Sequence, residues 1–410
     1  MKTSLKLAMK VLARRKFFTF ISLFGISMTL VVLMVGTALL DNVFAPQAPE
    51  SRFDRVLSID RVSLKGPQET ESTEPGYALL QQFVKPLKDI QDFGLYSNSE
   101  TKGLYPGKER IDASVRYADA GYWRILDFRF LEGRPFNAQE ADNGTFVAVI
   151  SDGLREKLFG TTSALGKTFE LDGRRFTVIG VVPNASITRL TAYGDVWLPF
   201  GTITADFRHN MMGGFHGLVL AHKRSDFGSI RADFKERIRD FPLDTKRFKE
   251  VRTGLDTPFQ AFARSVTWNR ADSKGSLIVI SVFAVAALLF MLLPALNLIT
   301  LNLSRILERS SEIGVRKAFG ATRPALVRQF VVENVVLTLI GGVVGFIIAS
   351  AILAVVTNIN IVPYARFAVN LRVFAWGMVI AVFFGLISGV YPAWRMSRLD
   401  PVNALRGGAK

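Results

Sequence analysis

Two long apolar runs, residues 277–303 and 331–356, are separated by a charged segment that contains Glu312-Ile313-Gly314-Val315-Arg316-Lys317-Ala318-Phe319-Gly320-Ala321. A helix needs about 20 apolar residues to cross a bilayer, and each run is long enough. The element between them is confined to a membrane surface. Its basic residues outnumber its acidic ones, which places it on the cytoplasmic side. A charged cytoplasmic ridge of this kind is suited to docking a soluble partner.

The rest of the composition fits this division. The chain has 410 residues, 49% hydrophobic yet 21% charged, so apolar spans and a polar domain must be segregated along it. There is no cysteine, which rules out disulfides, zinc–thiolate sites and a thiol nucleophile. The net charge of +16 could suggest nucleic acid, but its distribution argues against that. Residues 41–274 hold 33 basic and 31 acidic side chains, close to balance. Residues 1–16 hold six basic and no acidic side chains, residues 302–330 six and two, and residues 391–410 four and one. The excess flanks the apolar runs, as the positive-inside rule requires.

Four spans are expected: residues 17–40, 275–303, 331–356 and 373–390. The first carries no charge over 24 residues and is too long for the apolar core of a signal peptide. The second contains Pro294 and Asn297, read as a kink and a contact with another helix, positions that the family resemblance described below implies lie near a dimer interface. The third carries Gly341, Gly342 and Gly345, which permit close packing. Few polar groups fall inside the spans, chiefly Asn297 and Glu333. Residues 1–16, with Leu5, Ala8, Met9 and Leu12 at helical spacing, read as an amphipathic helix on the inner leaflet of membrane lipids. The expected fold is thus an α-helical membrane protein with four transmembrane helices and a large extracytoplasmic α/β (α+β) domain between helices 1 and 2. Residues 304–330 and the tail 391–410 are expected inside, with 357–372 as a short external loop.

Within residues 41–274, strands are expected at 146–150 and 175–182, the second preceded by an Asp172-Gly173 hairpin turn. Residues 152–159 read as a helix capped by Ser151 and ended by Gly160, and 226–241 as an amphipathic helix. Residues 65–76 read as a mobile loop. Gly166-Lys167-Thr168 lacks the earlier glycine of a phosphate-binding loop and precedes a strand-like segment, so no cofactor is assigned there. His209, His216 and His222, with Met211 and Met212 between the first two, could contact a soft metal, but Gly213, Gly214 and Gly217 interrupt them and make a surface loop the simpler reading, and no metal or catalytic residue is assigned.

In the charged segment, Glu312 and Arg316 are spaced i,i+4 with the acid first, and Glu308 shares their face. Gly320 suits a helix end, and Pro324 blocks continuation. The run 310–321 resembles the signature of FtsX/MacB-type ABC transporter permeases. Gly389-Val390-Tyr391-Pro392-Ala393-Trp394-Arg395 and the stretch 397–406 resemble that family's C-terminal end. Leu131-Glu132-Gly133-Arg134-Pro135-Phe136, 147–151 and 165–168 resemble its periplasmic core domain. The likeness is weakest over residues 45–115.

This resemblance implies a dimeric inner-membrane permease of a mechanotransmission exporter, with a second copy or a paralogue as partner. It implies a separate ABC ATPase subunit that binds ATP and Mg and docks on the loop helix. Glu308, Glu312, Ile313, Gly314, Arg316, Lys317 and Gly320 match its coupling positions, and the external domain would have a subdomain inserted at roughly 123–210. A periplasmic adaptor and an outer-membrane channel are further candidate partners. The chain begins without a fused N-terminal ATPase domain, so the nucleotide is expected on another polypeptide. The alternative is an FtsX-like regulator of cell-envelope enzymes, which typically has a smaller external domain than the 234 residues here.

Overall fold

The structure, a computed structural model, describes residues 16–106, 109–267, 275–290, 292, 319 and 322–397. They fall into two compact units: one built on Val43–Val279 with Val362–Ala365, the other on the helices of the remaining segments.

The first unit is a mixed α/β domain. Its strands are β1 (Val56–Ile59), β2 (Val62–Lys65), β3 (Thr70–Thr73), β4 (Ile90–Ser97), β5 (Glu100–Leu104), β6 (Ile111–Ala118), β7 (Glu132–Gly133), β8 (Val147–Ser151), β9 (Thr168–Leu171), β10 (Arg174–Val182), β11 (Val196–Pro199), β12 (Phe215–Ala221) and β13 (Glu250–Thr253). The main sheet runs β1-β12-β4-β6-β11-β8-β10-β7, with β5 added to β6 and β9 to β10. It narrows sharply between β4 and β6, where the register holds a single pair, Tyr96 opposite Ala118. On one side lies the antiparallel set β1-β12-β4. On the other, β11 pairs with β6 in parallel and β10 with β8 in parallel, so residues 100–118 join the half-sheet that contains 123–199.

Local rules explain many of these elements. β8 is buried at all five positions, which is why its sequence is an unbroken Val-Ala-Val-Ile run. It leads into helix Asp152–Phe159, whose first turn is capped by the Ser151 hydroxyl accepting from the Leu154 N–H. Gly160 ends that helix at a φ of +66°, a conformation that costs glycine little. Asp172 and Gly173 both take positive φ, +51° and +72°, the pattern of a tight hairpin turn joining β9 to β10. Helix Phe227–Arg237 buries Phe227, Ile230 and Phe234 at three- and four-residue spacing, and Ile238 continues that face in a 3₁₀ turn. Helix Pro258–Val266 opens on a reciprocal cap between Thr257 and Gln260.

Residues 65–76 differ from expectation. Thr70–Thr73 form β3, paired with β2 in a second sheet, β13-β2-β3. Their polarity reflects an exposed edge rather than the absence of structure: Ser63 and Ser72 hydroxyls bond across the ladder at 2.8 Å, and Arg247 bridges Glu69 and Glu71.

The second unit contains two helices of spanning length and composition, Thr19–Phe44 and Val327–Asn358. Two shorter apolar helices, Gly275–Phe290 and Leu371–Leu386, accompany them. The third run begins earlier than its apolar core suggests, because the helix extends from Arg323, with Pro324 in its first turn where a missing N–H costs nothing. The last helix runs Leu371–Ser397, past Pro392 and into the segment read as tail. On the first helix, Ser22, Ile26, Leu30, Met34 and Ala38 are buried at four-residue intervals, while Phe17, Phe20, Phe24 and Met28 are exposed.

Candidate functional site

The residues singled out for coupling, Glu308, Glu312, Ile313, Gly314, Arg316, Lys317 and Gly320, lie outside the described residues, as do Pro294, Asn297 and all of the amphipathic segment 1–16 except Lys16. The glycines of the third span are described. A side chain on Gly341 would stand 2.9 Å from Ile26, and one on Gly345 would stand 3.0 Å from the Ser27 carbonyl. Ser27 also donates its hydroxyl to the Gly341 carbonyl at 2.9 Å. First and third helices thus meet backbone to backbone. The expectation of few polar groups inside the spans needs correction. Ser22, Ser27, Asn334 and Thr338 are all buried, and Thr338 returns its hydroxyl to the Asn334 carbonyl at 2.9 Å. Small hydroxyls and amides escape a search for charges because they satisfy themselves on helix carbonyls. Glu333 is only half-buried and accepts from Gln329 at 3.0 Å.

In the domain, a buried polar knot grips the loop 183–195 between β10 and β11. Glu50 receives Arg189 at 3.0 Å and the Ala192 N–H at 3.2 Å. Arg116 donates to the carbonyls of Leu190, at 2.8 Å, and Thr191. Tyr122 donates to Thr191 at 2.9 Å and accepts from the Trp197 indole at 3.0 Å. Arg116 lies over the Tyr96 ring at 4.9 Å, and the His216 ring stacks on Tyr96 at 4.8 Å. Burial pushes the Glu50 carboxyl upward, against the opposing pull of Arg189 and Arg116. Burial also lifts the Tyr122 phenol to about 12.

Sequence reasoning missed this knot. Its one legible trace is that Arg189 is the only charged residue between 176 and 194, a lone cation in an apolar run. Glu50, Arg116 and Arg189 are far apart in the chain, and no spacing rule links them.

Three members of the histidine–methionine group have other partners. His216 lies in β12, with Nδ1 3.0 Å from Asp60 and Nε2 2.7 Å from Asn98. Met211 and Met212 pack against the apolar core. Among the described residues no group of three or more histidine, aspartate or glutamate side chains is placed to hold a metal. Thr168, the last residue of the phosphate-loop lookalike, opens strand β9.

The domain also holds an open cleft of about 530 Å³. β5 supplies Glu100 and Lys102, the β9–β10 hairpin Asp172 and Arg174, and the loop before β12 Asp206 and Phe207. Lys102 reaches Asp172 at 2.9 Å and Glu100 at 3.7 Å. Arg174 donates to the Thr202 carbonyl at 2.8 Å. Mixed charge beside aromatic walls can accept a polar, extended ligand more readily than a purely apolar one.

Comparison with known proteins fits this architecture. The MacB-like periplasmic core domain family matches residues 19–237, and the FtsX-like permease C-terminal family matches 284–401. The uncharacterized ABC transporter permease YknZ of Bacillus subtilis (strain 168) is 28% identical over 329 residues, 79% of this chain and 78% of its own. The macrolide export ATP-binding/permease protein MacB of Sodalis glossinidius is 29% identical over 300 residues, 69% of this chain but only 42% of its own length. The solved periplasmic region of MacB from Actinobacillus actinomycetemcomitans aligns with a TM-score of 0.38 at 15% identity, over 52% of this chain and 94% of that one. With one family covering more than half of the chain and the second following it in order, this protein belongs to the FtsX/MacB-type ABC transporter permeases, membrane proteins with an extracytoplasmic domain.

Proposed function

We propose that the chain is the permease subunit of an ABC exporter, in which a separate ATPase subunit drives movement of the extracytoplasmic domain. The observation that carries this reading is the order of the two family matches, a periplasmic core at 19–237 and a permease region at 284–401, with the charged segment 308–320 inside the second. In this proposal four helices cross the inner membrane and both termini are cytoplasmic. The ATPase docks on Glu308, Glu312, Ile313, Gly314, Arg316, Lys317 and Gly320, and holds ATP and Mg itself. Cargo enters from the periplasm or outer leaflet through the domain rather than through the helix bundle.

Dimerisation follows from the same reading. Leu277, Ile280, Val282, Phe283, Val285 and Leu289 are each more than half or nearly half exposed on helix Gly275–Phe290, an apolar surface suited to lipid and a second permease.

The test is reconstitution. The purified chain in lipid should show no ATP hydrolysis alone, and its partner ATPase should co-purify with it and be stimulated. ATP hydrolysis by the pure chain would refute the division of labour, and a deletion strain with a division defect but unchanged export would refute the transport role.

A further inference from the structure

We propose that the loop 183–195 seats the domain on a lipid surface, with Ile187 and Leu190 dipping into the bilayer interface. The loop closes two successive turns. The Arg189 N–H donates to the Ser186 carbonyl at 2.9 Å, and the Ala192 N–H to the Arg189 carbonyl at 3.0 Å. Each turn places its second residue at the bend, Ile187 in the first and Leu190 in the second. Burial follows the same three-residue repeat: Ser186, Arg189 and Ala192 are buried, while Ile187 is 46% and Leu190 74% exposed. The two aliphatic side chains therefore share the outward side of the loop. The backbone is held so that they cannot fold in. Arg116 binds the Leu190 and Thr191 carbonyls, Tyr122 binds Thr191 again, and Glu50 binds both the Arg189 side chain and the Ala192 N–H.

A turn that faces water normally carries glycine, proline or small polar residues at its bend. Here isoleucine and leucine stand there, and a buried ion pair holds them outward. The exposed part of the loop carries no charge, because Arg189, the only charged residue between 176 and 194, is buried. A lipid interface fits such a surface, since it takes aliphatic side chains and no charged group has to leave water. Chain connectivity brings the loop within reach of one. Asn184, near the start of the loop, accepts the Gly153 N–H at 2.8 Å. Tyr364 sets its hydroxyl beside the same two residues, for a side chain on Gly153 would stand 2.9 Å from Tyr364 and 2.9 Å from Asn184. Tyr364 comes six residues after Asn358, where helix Arg323–Asn358 ends, a reach of at most about 22 Å. Tyr193 and Tyr364, both partly exposed, supply the amphipathic rings that favour a membrane–water boundary. The seat rests on membership of a membrane-protein family and not on the export reading.

The experiment uses the full chain in phosphatidylcholine liposomes, with a nitroxide on a single introduced cysteine, since the chain has none of its own. Ile187→Cys and Leu190→Cys are compared with Glu236→Cys, an exposed acidic position on helix Phe227–Arg237. Collision rates are measured with oxygen, which concentrates in lipid, and with a nickel chelate, which stays in water. The oxygen-to-nickel ratio should be higher at 187 and 190 than at 236. Adding Leu190→Glu should lower the ratio at 187 to the level at 236, because a carboxylate resists leaving water. Leu190→Met, which keeps an apolar side chain, should leave the ratio at 187 unchanged. A ratio at 187 and 190 equal to that at 236 would place the loop in water and overturn the seat. Protection from both reagents would mean that protein covers the loop, a second copy included, and would overturn it as well. So would a ratio at 187 that Leu190→Glu does not move, or one that Leu190→Met lowers equally.

Discussion

Glu50 and Arg189 form a 3.0 Å ion pair across 139 positions of sequence, and each side chain is only 3% exposed. Two further Arg189 donors, Nε and Nη2, have no partner among the described residues, and neither does Arg116 Nε. A buried charge left alone is far more costly than a buried pair. Glu50→Ala should therefore destabilise the domain by about 3–5 kcal/mol. The apolar double substitution Glu50→Leu with Arg189→Met should recover most of that loss, because it removes both desolvation costs. Chemical denaturation of the wild type, Glu50→Ala and the double variant measures this; a double variant no better than Glu50→Ala would show that the pair is not coupled.

Asp119 supplies a pH dependence. Its carboxylate caps helix Ala120–Ile125 through the Tyr122 N–H and accepts the Leu95 N–H, both at 3.0 Å or less. Burial pushes its pKa up to about 6, against these bonds. A carboxyl raised in the folded state binds its proton more tightly there than when unfolded. This contribution to stability is therefore fully present below pH 3.8 and is lost as pH rises through about 6. The full effect is at most about 3 kcal/mol. Thermal unfolding between pH 4.5 and 7 should fall more steeply in the wild type than in Asp119→Asn, which keeps an acceptor but cannot titrate. Identical slopes would remove Asp119 as the source.

The glycines of the third span set a helix separation. Gly345→Val would place new atoms against the Ser27 backbone, which cannot rotate away. Overpacking of this kind costs about 1–3 kcal/mol. Gly36, beside which the structure shows open space within 4 Å, is the control: Gly36→Ala should be neutral or better. Unfolding in detergent compares them, and equal effects would mean that the close contact is not maintained.

Coupling is tested by charge reversal. Glu312→Lys should leave the chain inserted and stable, since an exposed i,i+4 pair contributes about 0.3–0.5 kcal/mol. A docking charge desolvated against a partner is worth about 2–5 kcal/mol of binding. ATPase co-purification should therefore drop while membrane abundance holds. A variant missing from the membrane would make the segment a folding element instead.

The dimer is open to crosslinking because the chain has no native cysteine. Leu33→Cys and Ala287→Cys, on the first and second apolar helices, should form disulfide-linked dimers under mild oxidation. Failure of both, with a reactive control site, would place the interface elsewhere.

The sequence alone determined whatever depends on neighbouring residues. Apolar length marked the long helices, Ser151 and Gly160 bounded a helix, and Asp172-Gly173 made a hairpin, because bilayer thickness, capping and left-handed φ are local constraints. The small residues Gly341 and Gly345 also announced close packing, since only a missing side chain lets two helix backbones meet. Tertiary structure decided the rest. Nothing near Glu50 in sequence names Arg189, and the lone cation in 176–194 shows only that a distant partner must exist. Thr70–Thr73 became a strand despite their polarity, because β2 offered an unpaired edge and Arg247 neutralised their acids.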